Sequence, residues 1–119
     1  MTLFYDFTDG VKFRIAGDGK SGVVEVLFNG KWGRVCNRRW DDRDARVFCR
    51  SLGRGFIDGE VGPDPTTSGT EYVWIDYLDC EGDEQGLLQC SLHWDPDYSQ
   101  CKDASVICMD NGEITDLGH

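Results

Sequence analysis

Six cysteines in 119 residues constrain this chain more than any other feature. They are Cys36, Cys49, Cys80, Cys90, Cys101 and Cys108, an even number with no Cys-x-x-Cys pair. Structural zinc normally draws on closely spaced ligand pairs, and the two histidines, His93 and His119, do not complete a set. Three disulfides are the better reading, and they imply an oxidising compartment: secreted, extracellular or luminal. Each contributes ~2–4 kcal/mol by restricting the unfolded chain. Six cysteines allow about fifteen pairings, and the sequence alone selects none.

Charge is the second constraint. The whole chain carries a net −10. Lys31 to Arg54 holds eight basic and three acidic residues, a net of +5, so the remainder carries −15. Such segregation either presents a basic face to something anionic or pairs the arginines with the protein's own carboxylates. The acidity elsewhere argues against a general nucleic-acid binder, whose phosphate contacts need a basic surface. No apolar run approaches the ~20 residues of a membrane span. The N-terminal residues lack the basic and apolar regions of a signal peptide, so a leader was removed or the chain was cut from a larger protein.

One domain is expected, over residues 10–109, with an extension at 1–9 and a polar tail at 110–119. Val11–Ala16 alternates as a half-buried strand does, and Val24–Phe28 gives a second strand. Asn29-Gly30 signals a two-residue hairpin turn into a strand over Lys31–Cys36. A helix is expected at about 42–52, capped by Asp41 or Asp42 and stopped by Gly53. Its buried stripe is Ala45, Phe48, Cys49 and Leu52. Arg39, Arg43, Arg46 and Arg50 fall on a different stripe. Residues 54–70, rich in Gly, Pro, Asp and Thr, are expected to form a long surface loop. Tyr72–Asp76 and Ala104–Cys108 are further strands, and Gly86–Cys90 is a short helix or turn.

These segments together resemble a scavenger receptor cysteine-rich (SRCR) domain. The resemblance rests on Val11 to Gly17, Gly22 to Val26, Gly30-Lys31-Trp32-Gly33-Arg34-Val35-Cys36, Trp40-Asp41-Asp42-Arg43-Asp44-Ala45, Val47 to Gly53, Trp74 to Cys80, Glu84 to Cys90 and Asp103 to Cys108. Six cysteines match the group A pattern. The resemblance implies the pairs Cys36–Cys101, Cys49–Cys108 and Cys80–Cys90. It also implies an α+β fold in which a curved, mainly antiparallel sheet cradles one helix.

For function, the resemblance implies a non-enzymatic recognition module that is secreted or part of the ectodomain of a membrane protein. The partners it implies are anionic polymers, microbial surfaces of the kind met in innate immunity, or other proteins. Arg38, Arg39, Arg43, Arg46, Arg50 and Lys102 are the expected ligand-binding residues, because guanidinium groups pair in bidentate fashion with sulfate, phosphate or carboxylate. One calcium site of the family maps here onto Asn37, Arg38 and Lys102, two of them cationic, so no calcium is expected there. A second maps onto Asp41, Asp76 and Gln100 and keeps oxygen donors, so the resemblance implies either no cofactor or Ca2+ at this one site. The alternative reading is a protein–protein adhesion or scaffold domain, or an accessory domain of a larger secreted protease or oxidase. Its basis is the stretch Asp76–Asp97, with seven carboxylates and no Lys or Arg. Tyr72, Tyr77, Trp94 and Tyr98 would mark such an interface if exposed. No nucleophile motif or phosphate-cradling loop supports catalysis.

Overall fold

The computed structural model describes residues 11–17, 19–63, 72–94 and 101–110. Within them run β1 (Lys12–Gly17), β2 (Ser21–Phe28), β3 (Lys31–Arg38), α1 (Asp42–Ser51), β4 (Asp58–Val61), β5 (Tyr72–Asp79), a 3-10 turn (Leu87–Gln89), β6 (Ser91–Trp94) and β7 (Ser105–Met109). The strands form one sheet in the order β4-β7-β2-β3-β5-β6, with β1 on β2. Every pairing is antiparallel except β3 with β5. A parallel pair needs a long crossover, and α1 lies within it.

Local chemistry explains the elements. Asn29 and Gly30 both take positive φ, 57° and 79°, as a type I′ turn requires, and Phe28 pairs with Lys31 across it. Asp41 caps α1 by accepting the Arg43 and Asp44 amides, and Asp44 accepts the Asp41 amide in return, which completes a capping box. The helix buries Ala45, Val47, Phe48 and Cys49 against the apolar face carrying Val24, Val26, Val35, Ile75 and Val106. Cys49–Cys108 ties the helix to β7, Cys36–Cys101 ties β3 to the approach to β7, and Cys80–Cys90 closes the turn between β5 and β6. These are the pairs the resemblance implies.

Charges also run across the sheet. Arg14 stands opposite Glu25, and Glu25 opposite Arg34. The buried Glu25 carboxylate accepts from Arg14 at 2.7 Å, while Arg34 donates to Asp103 at 2.6 Å. Burying a carboxylate is costly unless it is paired, and this row pairs two of them.

The expectation of a loop over 54–70 needs correction. Asp58–Val61 is a strand paired in register with β7. Glycine and two acids give it a weak strand signal. The glycine is required, because a Cβ at Gly59 would overlap Cys49 Sγ and the Ala45 carbonyl. Residues 64–70 of that stretch lie outside the described residues. Also unexpected were β6 and the extension of β5 to Asp79. The expected extension 1–9 and tail residues 111–119 lie outside the described residues.

Candidate ligand-binding face

The arginines near α1 fall into two groups with different partners. On the helix itself, Arg43 donates to the cap, with Nη2 and Nε 2.9 and 3.3 Å from Asp41 Oδ2. Partial burial pushes the Asp41 carboxyl up, but hydrogen bonds from Arg43 and the Asp44 amide outweigh it and hold the group below its ordinary value. Hydrogen bonding to Asp41 raises the exposed Arg43 in turn. Arg46 Nε donates to Asp58 Oδ1 at 3.0 Å, Arg50 Nε to the Ile57 carbonyl at 2.8 Å, and Asp42 Oδ1 accepts the Val61 amide at 2.8 Å. These three contacts lace one flank of the helix along β4. A strand edge left open offers unpaired backbone groups to another chain, so this flank works partly as an edge cover.

Asp44 anchors the base of the helix. It is fully buried, and its oxygens accept the Cys80 amide at 2.7 Å and the Asp41 amide at 2.9 Å. Desolvation dominates those two bonds, and the nearby Asp41 charge adds to it, so the Asp44 carboxyl is pushed up to about 7.

The second group sits where β3 ends beside β5 and β6. Arg38, Tyr77 and His93 form one row across three strands: Arg38 pairs with Tyr77, and Tyr77 with His93. Arg38 Nη1 donates to both oxygens of Asp76, at 3.0 and 3.1 Å. Asp76 is only 7% exposed, and His93 Nδ1 lies 3.5 Å from its Oδ2. The Tyr77 and His93 rings are stacked, with centroids 5.4 Å apart and planes 9° from parallel. Arg39 places its guanidinium 4.5 Å from the Tyr77 ring centroid, within the range of a cation–π contact. Its backbone is at φ 61°, a left-handed conformation that non-glycine residues adopt infrequently.

The structure therefore divides the expected basic stripe. Arg38, Arg43 and Arg46 are on carboxylates, Arg50 is on a backbone carbonyl, and Arg39 is on an aromatic ring. Among the described residues, Arg39 and Arg50 have no carboxylate partner. Lys102 is exposed, and its carbonyl accepts the Asn37 amide at 2.9 Å. Sequence reasoning missed Asp58 as a partner because its strand was read as loop. It also missed the Tyr77–His93 stack, because β6 was not recognised and the register of β5 on β6 could not be drawn.

The expected calcium donors have other duties. Asp41 caps the helix and holds Arg43, and Asp76 holds Arg38. Gln100 lies outside the described residues. The one cluster of three metal-ligating residue types among the described residues is Cys80, Glu84 and Cys90. Its two sulfurs are joined in a disulfide and offer no thiolate.

Comparison with known proteins places this geometry. The chain is 41% identical over 110 residues to bovine (Bos taurus) Galectin-3-binding protein, covering 85% of this chain and 20% of that protein. It is 35% identical over 101 residues to the Macrophage receptor MARCO of Mesocricetus auratus, covering 80% and 19%. Human (Homo sapiens) Lysyl oxidase homolog 3 is 34% identical over 108 residues, covering 87% and 14%. The chain thus spans a fifth or less of these relatives' length. Among solved structures, the dimeric form of the SRCR domain of mouse MARCO superposes with a TM-score of 0.65 at 36% identity, covering 80% of this chain and 92% of that one. The third SRCR domain of murine neurotrypsin gives 0.67 at 30% identity, covering 83% and 96%. The family model for the scavenger receptor cysteine-rich domain matches residues 16–109. With that match, the shared sheet-and-helix fold and three disulfides, the chain belongs to the scavenger receptor cysteine-rich family, whose domains are non-catalytic binding modules, typically extracellular.

Proposed function

We propose that this domain, of the six-cysteine group A type, is an extracellular module that recognises polyanionic ligands, including microbial surface polymers, through the basic residues around α1. The observation that carries this reading is the pair of exposed guanidinium groups, Arg39 and Arg50, with no carboxylate among the described residues to neutralise them. Arg43 and Arg46 stand between them, on partly exposed carboxylates that a multivalent anion can displace. Arg38 and Lys102 extend the basic face past the start of the helix. Binding depends on fixed cations, so it needs no calcium and weakens with salt.

Heparin-column chromatography tests this. The parent domain should elute above physiological salt and equally in calcium or a chelator, and Arg39→Glu/Arg50→Glu should elute much earlier. Co-elution of the variant with the parent would refute the assignment of the face.

A second reading, a protein-binding module within a larger secreted protein, is favoured by the acidic stretch Asp76–Asp97. A basic protein partner is its expected ligand. Trp94 does not contribute a free aromatic to such an interface, because it packs 4.8 Å from Phe28 as an extension of the core.

A further inference from the structure

Polyanion binding through arginines alone does not discriminate sulfate from phosphate, or a sugar chain from any other charged polymer. The corner between β3, β5 and β6 holds something more selective. We propose that Arg39, Tyr77 and His93 form a subsite for one anionic sugar residue of a glycan, with the arginine meeting the sulfate or carboxylate and the rings meeting the sugar's C–H face. This rests on the polyanion reading above and narrows it to a ligand class.

Four observations support the assignment. First, strand register sets Tyr77 and His93 opposite each other as direct cross-strand partners, and their ring planes lie 9° from parallel. Second, the site is accessible: the His93 side chain is 53% exposed, and it lies on β6, at one end of the sheet. Third, Arg39 is delivered to the Tyr77 ring from a left-handed backbone position. Such a conformation persists in a non-glycine residue only when its surroundings fix it. Fourth, Asp76 ties down the neighbouring Arg38 through both carboxylate oxygens, so Arg39 is the guanidinium at this corner that remains available to a ligand.

A sugar ring suits this arrangement better than a linear phosphate polymer. Pyranoses present an apolar C–H face and an equatorial or exocyclic anionic group a few ångströms away. Aromatic rings cover apolar area without losing much rotamer freedom on binding. A polyphosphate has no apolar face to use them. Nucleic-acid bases also stack on aromatics, but the net charge of −10 opposes the extended phosphate contacts that hold a strand.

The experiment compares the intact chain and its variants, at one pH and one ionic strength with a chelator present, against a heparin oligosaccharide and a polyphosphate of matched charge. His93→Ala is the main variant, since that side chain is exposed on a terminal strand, and Tyr77→Phe keeps the ring while removing the hydroxyl. Removal of the His93 ring should weaken heparin binding by roughly two- to five-fold, the scale of a partly exposed aromatic or cation–π contact, and leave polyphosphate binding unchanged. Tyr77→Phe should bind both probes like the parent, and Arg39→Ala should weaken both. Equal losses of both probes with His93→Ala, or no loss of heparin binding, would overturn the subsite while leaving the polyanion reading in place. A single-stranded oligonucleotide showing the same dependence on His93 would overturn its assignment to a sugar. Failure of the parent chain to bind heparin at all would overturn both readings.

Discussion

Two arginine-rich regions, one along α1 and one at the end of β3, hold their guanidinium groups in different ways. Along α1, Arg46 and Arg50 reach across to β4, and Asp42 accepts the Val61 amide, so the flank and the strand edge satisfy each other. At the corner of β3, β5 and β6, Arg38 is fixed on a buried carboxylate and Arg39 rests on an aromatic ring. The first region uses charge to close a backbone edge. The second leaves one cation beside a stacked ring pair, with no carboxylate partner among the described residues. Arginine content alone does not separate a flank laced to a strand edge from the proposed sugar subsite; the partner of each guanidinium does.

The sharpest way to break the structural flank lies beneath it. Asp44→Ala removes the acceptor of the buried Cys80 amide and of the partly buried Asp41 amide, and should cost about 3 kcal/mol, the scale of leaving buried donors unsatisfied. Chemical denaturation with disulfides intact reads this as a lower midpoint. The same carboxyl gives a pH signature. Its value is raised to about 7 in the fold from 3.8, so its stabilising contribution is complete below ~4 and is lost as pH rises through 7. Its share of stability should therefore fall with pH in this window, by at most ~1.4 kcal/mol per unit. Asp44→Asn should flatten that slope. Asp41 acts in the opposite sense: its value is lowered, so its contribution is present above the ordinary aspartate range and is lost on further acidification. A parent domain whose midpoint is constant from pH 4.5 to 7.5 would contradict the Asp44 assignment.

A smaller effect is expected from the flank itself. Arg46→Ala/Arg50→Ala removes one half-exposed ion pair and one charged hydrogen bond to a carbonyl, about 1 kcal/mol together. Its more telling consequence is exposure of the Ile57–Asp58 edge to a neighbouring chain. Sedimentation at rising concentration should show more self-association than for the parent. Arg39→Ala, at the corner, should show none. Equal behaviour of the two variants would erase the distinction between the regions.

Legibility in the sequence followed the range of the determining contacts. The Asn29-Gly30 turn and the helix cap are encoded within four residues: the turn was readable, and the cap was narrowed to Asp41 or Asp42, with Asp41 and its reciprocal bond to Asp44 emerging only in the structure. The helix was readable too, its expected stripe of Ala45, Phe48, Cys49 and Leu52 repeating at helical spacing, although Leu52 is the C-cap and only partly buried. β4 was not readable, because Gly59 is small to admit Cys49 and Ala45, residues ten or more positions away that meet it only in the fold. The arginine stripe was visible, but its partners were not: Arg46 meets Asp58 across 12 residues and Arg38 meets Asp76 across 38. The proposed sugar subsite was the least legible part. Its ring pair depends on the β5–β6 register, which the Cys80–Cys90 turn brings about, and β6 has only four residues.

The least disruptive variant separates the regions most cleanly. His93→Ala removes an exposed ring from a terminal strand, together with a 3.5 Å approach to Asp76 that Arg38 already serves through two hydrogen bonds. Its stability cost should stay within about 0.5 kcal/mol, as for surface substitutions away from buried networks. Heparin affinity should nonetheless fall, while Arg46→Ala/Arg50→Ala should change self-association more than it changes any preference for sugar over phosphate. A loss of stability from His93→Ala comparable to that from Asp44→Ala would mean that the ring pair is a structural clamp like the helix flank, and the corner would then need a different explanation for the exposed guanidinium of Arg39.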